Sequence, residues 1–370
     1  MHKVTFYPLG NADCCLIELN NGQKLLFDYA DTRNKEDDKD TRIDLPVKLR
    51  EVVNNEFNVV AFTHVDDDHI HGSTDFFYLE HAKKYQSEDR IKIKELWVPA
   101  AMITEVGLQG EAGILRAEAR YRLKKGAGIR VFSRPERLKE WLEKEELTIE
   151  ERRHLITDAG QLVPEFEKYQ DGVEFFVHSP FAVHADDTLI DRNACSLILQ
   201  ATFYYDRQET KFMLIGDSTH EILTDIVNIT KFHKREGRLE WDIYNIPHHC
   251  SYLALNSEKG EEKTIPVPEV EWLLNQGREK GVLVSCSNPI PKDGEDTQPP
   301  HKQAGRYYKE VAAEINGEFK VTMEHPTISK PEPLVITIDG WGATVKKTIM
   351  NAGVVAVSRP APRAGAAYAR

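Results

Sequence analysis

The chain has 370 residues, 41% hydrophobic and 29% charged, which is the make-up of an ordinary globular protein of one large or two modest domains. Its 48 basic and 60 acidic residues leave a formal charge of −12. That argues against a broadly basic nucleic-acid binder, although a metal cluster can supply the positive charge a phosphate needs. The five cysteines, Cys14, Cys15, Cys195, Cys250 and Cys286, form no Cys-x-x-Cys pair, so reduced core thiols are expected rather than a disulfide framework or a zinc ribbon.

The N-terminal residues enter a strand-like pattern directly and lack the apolar core of a secretion signal. No window approaches the roughly 18 apolar residues a membrane helix needs. A cytoplasmic location with no membrane partner is therefore expected. Residues 3–7, 14–19 and 24–27 read as strands, separated by the turn signals Gly10-Asn11 and Asn20-Asn21-Gly22. Residues 58–63 and 95–98 are short apolar runs of the kind that form buried strands. Residues about 108–168 are charged and helix-prone; they fit either a solvated helical pair packed on the outside or an insertion that shapes a substrate groove. Strands resume at 174–177, 196–203, 211–215, 242–246 and 281–285, with a helix at 221–230. Residues 334–338 and 343–347 form a late hairpin around Asp339-Gly340-Trp341-Gly342. One domain is expected over 1–350, and the Ala-, Arg- and Pro-rich residues 351–370 are expected to be disordered.

Several apolar runs end in a residue able to bind a metal. Leu25-Leu26-Phe27 ends in Asp28, and Val59-Val60-Ala61-Phe62-Thr63 ends in His64. Met213-Leu214-Ile215-Gly216 ends in Asp217, and Ile243-Tyr244-Asn245-Ile246-Pro247 ends in His248-His249. Layered α/β proteins build sites at the carboxyl ends of neighbouring strands, so four such ends can converge. The densest run is His64-Val65-Asp66-Asp67-Asp68-His69. In an extended segment His64, Asp66 and Asp68 point to one side. Such a cluster is costly unless a cation satisfies it, and a divalent metal does so. Helix capping by one aspartate would explain none of the histidines.

His-x-Asp-x-Asp-His followed by Gly resembles the signature loop of the metallo-β-lactamase superfamily, and its third-position Asp resembles the hydrolase domain of ComEC-type competence proteins and their stand-alone relatives. Gly10-Asn11-Ala12-Asp13, Asp28, Asn193-Ala194-Cys195-Ser196-Leu197, Leu214-Ile215-Gly216-Asp217 and Pro247-His248-His249-Cys250-Ser251 are similar to further blocks of that family, in the same order. His301 matches a late block weakly. Cys250 stands where the family usually has Gly. No obvious histidine fills the middle ligand block, for which His178 and His184 are the nearest and poor candidates.

The resemblance implies an αββα sandwich of two mixed sheets with outer helices and the site at one edge. It implies two divalent metal ions, Zn or Mn, held by His64, Asp66, Asp68, His69, Asp217 and His248. It gives catalytic roles to Asp68 and His249, and makes Asp28 a residue that orients a ligand histidine. The implied activity is hydrolysis by a metal-activated hydroxide. A phosphodiesterase or nuclease is the leading expectation, with a phosphodiester, a nucleic acid among the candidates, as substrate. A small-molecule hydrolase (lactonase, thioesterase or phosphoester hydrolase) and a non-catalytic binding protein on the same fold are the alternatives.

Overall fold

Alternation of buried side chains builds the first sheet. Leu25 and Phe27 face one side of their strand and Leu26 the other, and all three are buried, so the sheet is covered on both faces. In the computed structural model, which describes residues 1–186, 191–292 and 298–347, this sheet has nine strands. They are β1 (His2–Phe6), β2 (Cys15–Glu18), β3 (Lys24–Phe27), β4 (Glu56–Ala61), β5 (Lys92–Pro99), β6 (Ile129–Phe132) and β7 (Ile156–Thr157), joined late in the chain by β16 (Leu334–Asp339) and β17 (Gly342–Val345). Their order is β17-β16-β1-β2-β3-β4-β5-β6-β7. The second sheet comprises β8 (Val173–Ser179), β9 (Ile198–Tyr205), β10 (Gln208–Ile215), β11 (Trp241–Ile246), β12 (Gly277–Ser285) and β13 (Glu318–Val321), in the order β13-β12-β11-β10-β9-β8. A two-residue pair, β14 (Pro326–Thr327) and β15 (Lys330–Pro331), lies outside both.

The sheets face each other across an apolar core that includes Phe6, Phe27, Val59 and Trp97 from the first sheet and Phe175, Leu199, Phe212 and Ile243 from the second. Helices Leu45–Val52, Gly110–Lys125 and Glu136–Lys144 cover the outer face of the first sheet through Leu49, Leu115, Leu123 and Leu142. Helices His220–Phe232, Pro268–Leu274 and Lys302–Glu314 cover the second through Ile226, Leu273 and Val311. The fold is the expected αββα sandwich of two mixed sheets.

Residues 108–168 do more than lie outside it. Besides helices they supply β6 and β7, which extend the first sheet in parallel beyond β5. The strand Ile129-Arg130-Val131-Phe132 is too short to stand out between charged helices. The tail 351–370 lies outside the described residues. Among the described residues no helix is long and apolar enough to cross a membrane. All five cysteines are buried, and none forms a disulfide among the described residues.

The topology decides which strand ends meet. β1 runs antiparallel to β2, β2 antiparallel to β3, and β3 parallel to β4, so the ends of β1, β3 and β4 share one edge. In the second sheet β10, β11 and β12 are parallel, so their carboxyl ends also share an edge. The two edges are tied by a main-chain bond, Leu197 N–H to the Thr63 carbonyl at 3.0 Å.

Candidate metal centre

Asp28, in a left-handed turn (φ 57°) straight after β3, organises the centre without occupying it. Its Oδ1 accepts the Thr63 amide at 2.7 Å, and its Oδ2 accepts the Thr63 hydroxyl at 2.7 Å. His69 Nδ1 lies 2.8 Å from the same Oδ2. A carboxylate only accepts, so Nδ1 carries the proton and His69 Nε2 is left bare for a cation. The Thr63 hydroxyl proton is committed to Asp28, so its oxygen accepts from His64 Nδ1, 3.1 Å away, which leaves His64 Nε2 bare as well. One buried carboxylate thereby sets the tautomers of two histidines. Gly216 closes this knot: a Cβ there would sit 2.7 Å from both Thr63 Oγ1 and Ser196 Oγ, so any side chain would push Thr63 off Asp28.

His249 is delivered by a turn in which His248, His249 and Cys250 all have positive φ (52°, 51° and 66°). Three consecutive left-handed non-glycine residues store strain of the kind that clusters at functional sites. Cys250 thus adopts a backbone that favours glycine, and its side chain is buried in the outer core of the second sheet. The His249 Nδ1–H donates to the Cys286 carbonyl at 2.8 Å, which frees Nε2 for the centre.

Two overlapping donor groups result, each with its ligand atoms within 4.8 Å of one another: Asp13, His69, Asp217 and His249, and His64, Asp68 and His69. Asp217 Oδ1 is 3.5 Å from His69 Nε2, and Oδ2 is 3.8 Å from His249 Nε2. Asp13 Oδ2 is 3.7 Å from His69 Nε2. His64 Nε2, His69 Nε2 and Asp217 Oδ1 are buried and have no hydrogen-bond partner among the described residues. Three buried orphans of this kind, two imidazole nitrogens and a carboxylate oxygen around one point, fit a divalent cation.

Electrostatics agree. Burial opposes charge on His249, yet Asp217, Asp68 and Asp13 together push it up to about 9. Burial likewise opposes charge on His69, and Asp28 and Asp217 outweigh it, holding the imidazole well above its usual value. Burial raises Asp13 to about 6. His64, buried and beside His69, is depressed to about 3 and stays neutral.

Of the expected ligands, the structure brings together His64, Asp68, His69 and Asp217. His249 joins them where His248 was expected, because the left-handed turn seats it between Asp68 and Asp217; His248 stays on the rim, 23% exposed, with Nε2 3.9 Å from Asp217 Oδ2. Asp66 Oδ2 is 3.6 Å from His64 Nε2, but Oδ1 is held by Arg192 Nη1 at 2.5 Å. Asp13 was missed. Asp13 sits in the loop between β1 and β2 rather than directly after a strand, and its place in the Gly10-Asn11-Ala12-Asp13 block is the signal the sequence carries for it. The remaining histidines serve elsewhere: His178 bonds the Arg238 carbonyl at 2.9 Å, His184 faces Asp225, and exposed His71 pairs with Asp67. His301 braces the His249 turn, its amide donating to the Cys250 carbonyl at 3.0 Å.

Asp28→Ala is expected to lower metal affinity by roughly 10–100-fold, the usual cost of losing the partner that orients a ligand histidine. Chelator competition measures it; an unchanged affinity would remove Asp28 from the centre.

No family model and no curated protein matches the chain. Among solved structures it is similar to Igni18, a metallo hydrolase of the archaeon Ignicoccus hospitalis, with 12% identity, 90% of this chain and 99% of that one covered, and a TM-score of 0.41. It is also similar to unliganded yeast PDE1 (10% identity, 86% and 96% covered, TM-score 0.40) and to the metallo-β-lactamase GOB-18 of Elizabethkingia meningoseptica (12% identity, 74% and 87% covered, TM-score 0.32).

Proposed function

We propose that the protein is a metal-dependent hydrolase of phosphodiesters. The observation that carries this reading is the buried donor group Asp13, His69, Asp217 and His249, in which the orphaned His69 Nε2 and Asp217 Oδ1 call for a cation. A divalent ion there supplies Lewis acidity, polarising the scissile group and acidifying water. The chain's own residues do the rest. Asp68 is the most open of the carboxylates in the two donor groups, its side chain 35% exposed. Burial works to raise its pKa, but the His249 bond and the neighbouring His69 hold it at about 2, so it remains a carboxylate able to take a proton from attacking water. His248, on the rim beside Asp217, is placed to meet a leaving oxygen.

The donor set favours phosphorus over carbonyl chemistry by its hardness. Three carboxylates (Asp13, Asp68, Asp217) against three imidazoles (His64, His69, His249) suit a hard, oxygen-seeking cation, the kind that engages phosphoryl oxygens, better than an imidazole-dominated site does. The ComEC-like His-x-Asp-x-Asp-His loop points the same way. A small phosphodiester is favoured over a polynucleotide, because the basic residues that would have lined a groove are committed elsewhere. Lys124 pairs with Glu145 at 2.9 Å, Lys125 with Glu80 at 2.6 Å and Arg134 with Asp158 at 2.5 Å, while Arg130 is buried against Glu165.

The test strips the protein with chelator, adds back Zn²⁺ or Mn²⁺, and assays a nitrophenyl phosphodiester, single-stranded DNA, RNA and a lactone. Turnover of the phosphodiester by the loaded protein alone is expected, with Mn²⁺ at least as effective as Zn²⁺ and the polynucleotides slower. Turnover of the lactone alone would assign carbonyl chemistry, and absence of metal uptake would overturn the reading.

A further inference from the structure

Asp66 sits in the signature loop at a position expected to hold metal, yet its strongest contact is with a cation the chain itself supplies. Arg192 Nη1 lies 2.5 Å from Asp66 Oδ1. The rest of the guanidinium is gripped by Glu105, which accepts from Nε at 3.1 Å and from Nη2 at 2.7 Å. Glu105 directly follows the helix Ala100–Thr104, and Arg192 lies just ahead of β9, so one residue from each half of the sandwich meets across the loop. The guanidinium, His64, Val65, Met102 and Cys195 line one small cleft. An arginine fixed by a two-point carboxylate fork loses little freedom by staying there and cannot shed its proton.

The two donor groups therefore differ in charge. Among the described residues, the ion pairs of Asp13 and Asp217 are with histidines alone, with no lysine or arginine. On the His64 side, Arg192, shared with Glu105, offsets part of the charge of Asp66 and occupies its Oδ1, which leaves His64 and Asp68 with His69 shared. A second dication bound there would sit close to a permanent positive charge, with one oxygen of its nearest extra carboxylate occupied.

We propose that Arg192 is the residue that makes the centre unequal: held by Glu105, its guanidinium occupies Asp66 Oδ1 and offsets its charge, so one divalent ion binds tightly on Asp13, His69, Asp217 and His249, and the His64 position binds a second only weakly. Arg192 acts through Asp66 and is a positioning and charge-setting residue. This inference rests on the reading of the centre as a metal site.

The test is calorimetric titration of the chelator-stripped full chain with Zn²⁺ and, separately, Mn²⁺. The wild type is expected to take up one equivalent tightly and a second roughly 100-fold more weakly, the imbalance a fixed neighbouring charge imposes in a partly buried site. Arg192→Gln, which keeps a hydrogen-bonding side chain but removes the charge, is expected to strengthen the second binding by about tenfold and leave the first unchanged. Arg192→Lys keeps the charge and should behave as the wild type, an outcome that a merely structural role would not produce. Asp66→Asn provides a check independent of the arginine: the tight affinity should hold within about threefold, whereas loss of a true ligand would cost about 100-fold or more. Two equal affinities in the wild type, or a second site weakened or unmoved by Arg192→Gln, would overturn the inference while the metal reading stands. Failure of the wild type to bind either ion would overturn both.

Discussion

Asp217→Asn is expected to cut turnover by about 10³-fold or more, equivalent to about 4 kcal/mol of transition-state stabilisation, while the protein stays folded. Asp217 is 4% exposed and lies within 4 Å of three imidazole nitrogens, on His69, His248 and His249. His249, His69 and His64 hold its carboxyl well below the usual carboxylate range although burial works the other way. Asparagine keeps the volume, so no cavity opens, but it removes the charge that balances a cation. Asp68→Ala is expected to match it in turnover with a smaller loss of metal, because Asp68 lies on the open side of the centre. The measurements are kcat/KM, bound metal per chain and the denaturation midpoint. Retained turnover with unchanged metal content in either variant would rule out its role.

Removing the metal should make stability strongly dependent on pH. A raised pKa means that the folded chain holds its proton more tightly than the unfolded one, so the contribution is complete below the unfolded value and lost as pH climbs through the folded value. For His249 the window runs from about 6.5 to about 9, and Asp13, raised to about 6, adds a loss of the same sign at lower pH. The metal-free protein is therefore expected to melt at progressively lower temperature between pH 6.5 and pH 9. Metal binding displaces the His249 proton, so affinity should rise by about tenfold per pH unit across that range for each proton released. At a free metal concentration about 1,000 times Kd the loaded protein should be more stable by about 4 kcal/mol. Thermal melts with and without chelator at several pH values read both effects. A flat profile for the stripped protein would mean that His249 is not protonated in it.

The elements that could be read from the chain are those whose pattern is local. Leu25-Leu26-Phe27, Met213-Leu214-Ile215 and Ile243-Tyr244 announce buried strands by their apolar runs, and each lies inside a strand of the structure. The helix Lys302–Glu314 went unanticipated, although its buried face of Ala304, Tyr308, Val311 and Ala312 follows helical spacing. Its tyrosines and scattered lysines dilute the stripe when read without a partner surface. The short β6 and β7 were hidden for a related reason, since a strand of two to four residues carries too few alternations to show a period.

At the centre, the signature loop, Asp217 and the bracing carboxylate Asp28 were legible because residue type and position at a strand end are sequence properties. Asp13, the exchange of His249 for His248 and the capture of Asp66 by Arg192 were not. Asp13 joins the centre only because β1 and β3 run the same way along one edge. The choice between two adjacent histidines depends on three successive left-handed residues and on a carbonyl 37 positions away, at Cys286. The Arg192–Asp66 bond spans 126 positions and exists because the two sheets close against each other at that edge. Composition and local pattern select the strands and the chemistry they carry to their ends. Which donor atoms face one another is decided by sheet order, backbone handedness and long-range ion pairs, all of which arise only once the two halves of the chain have packed.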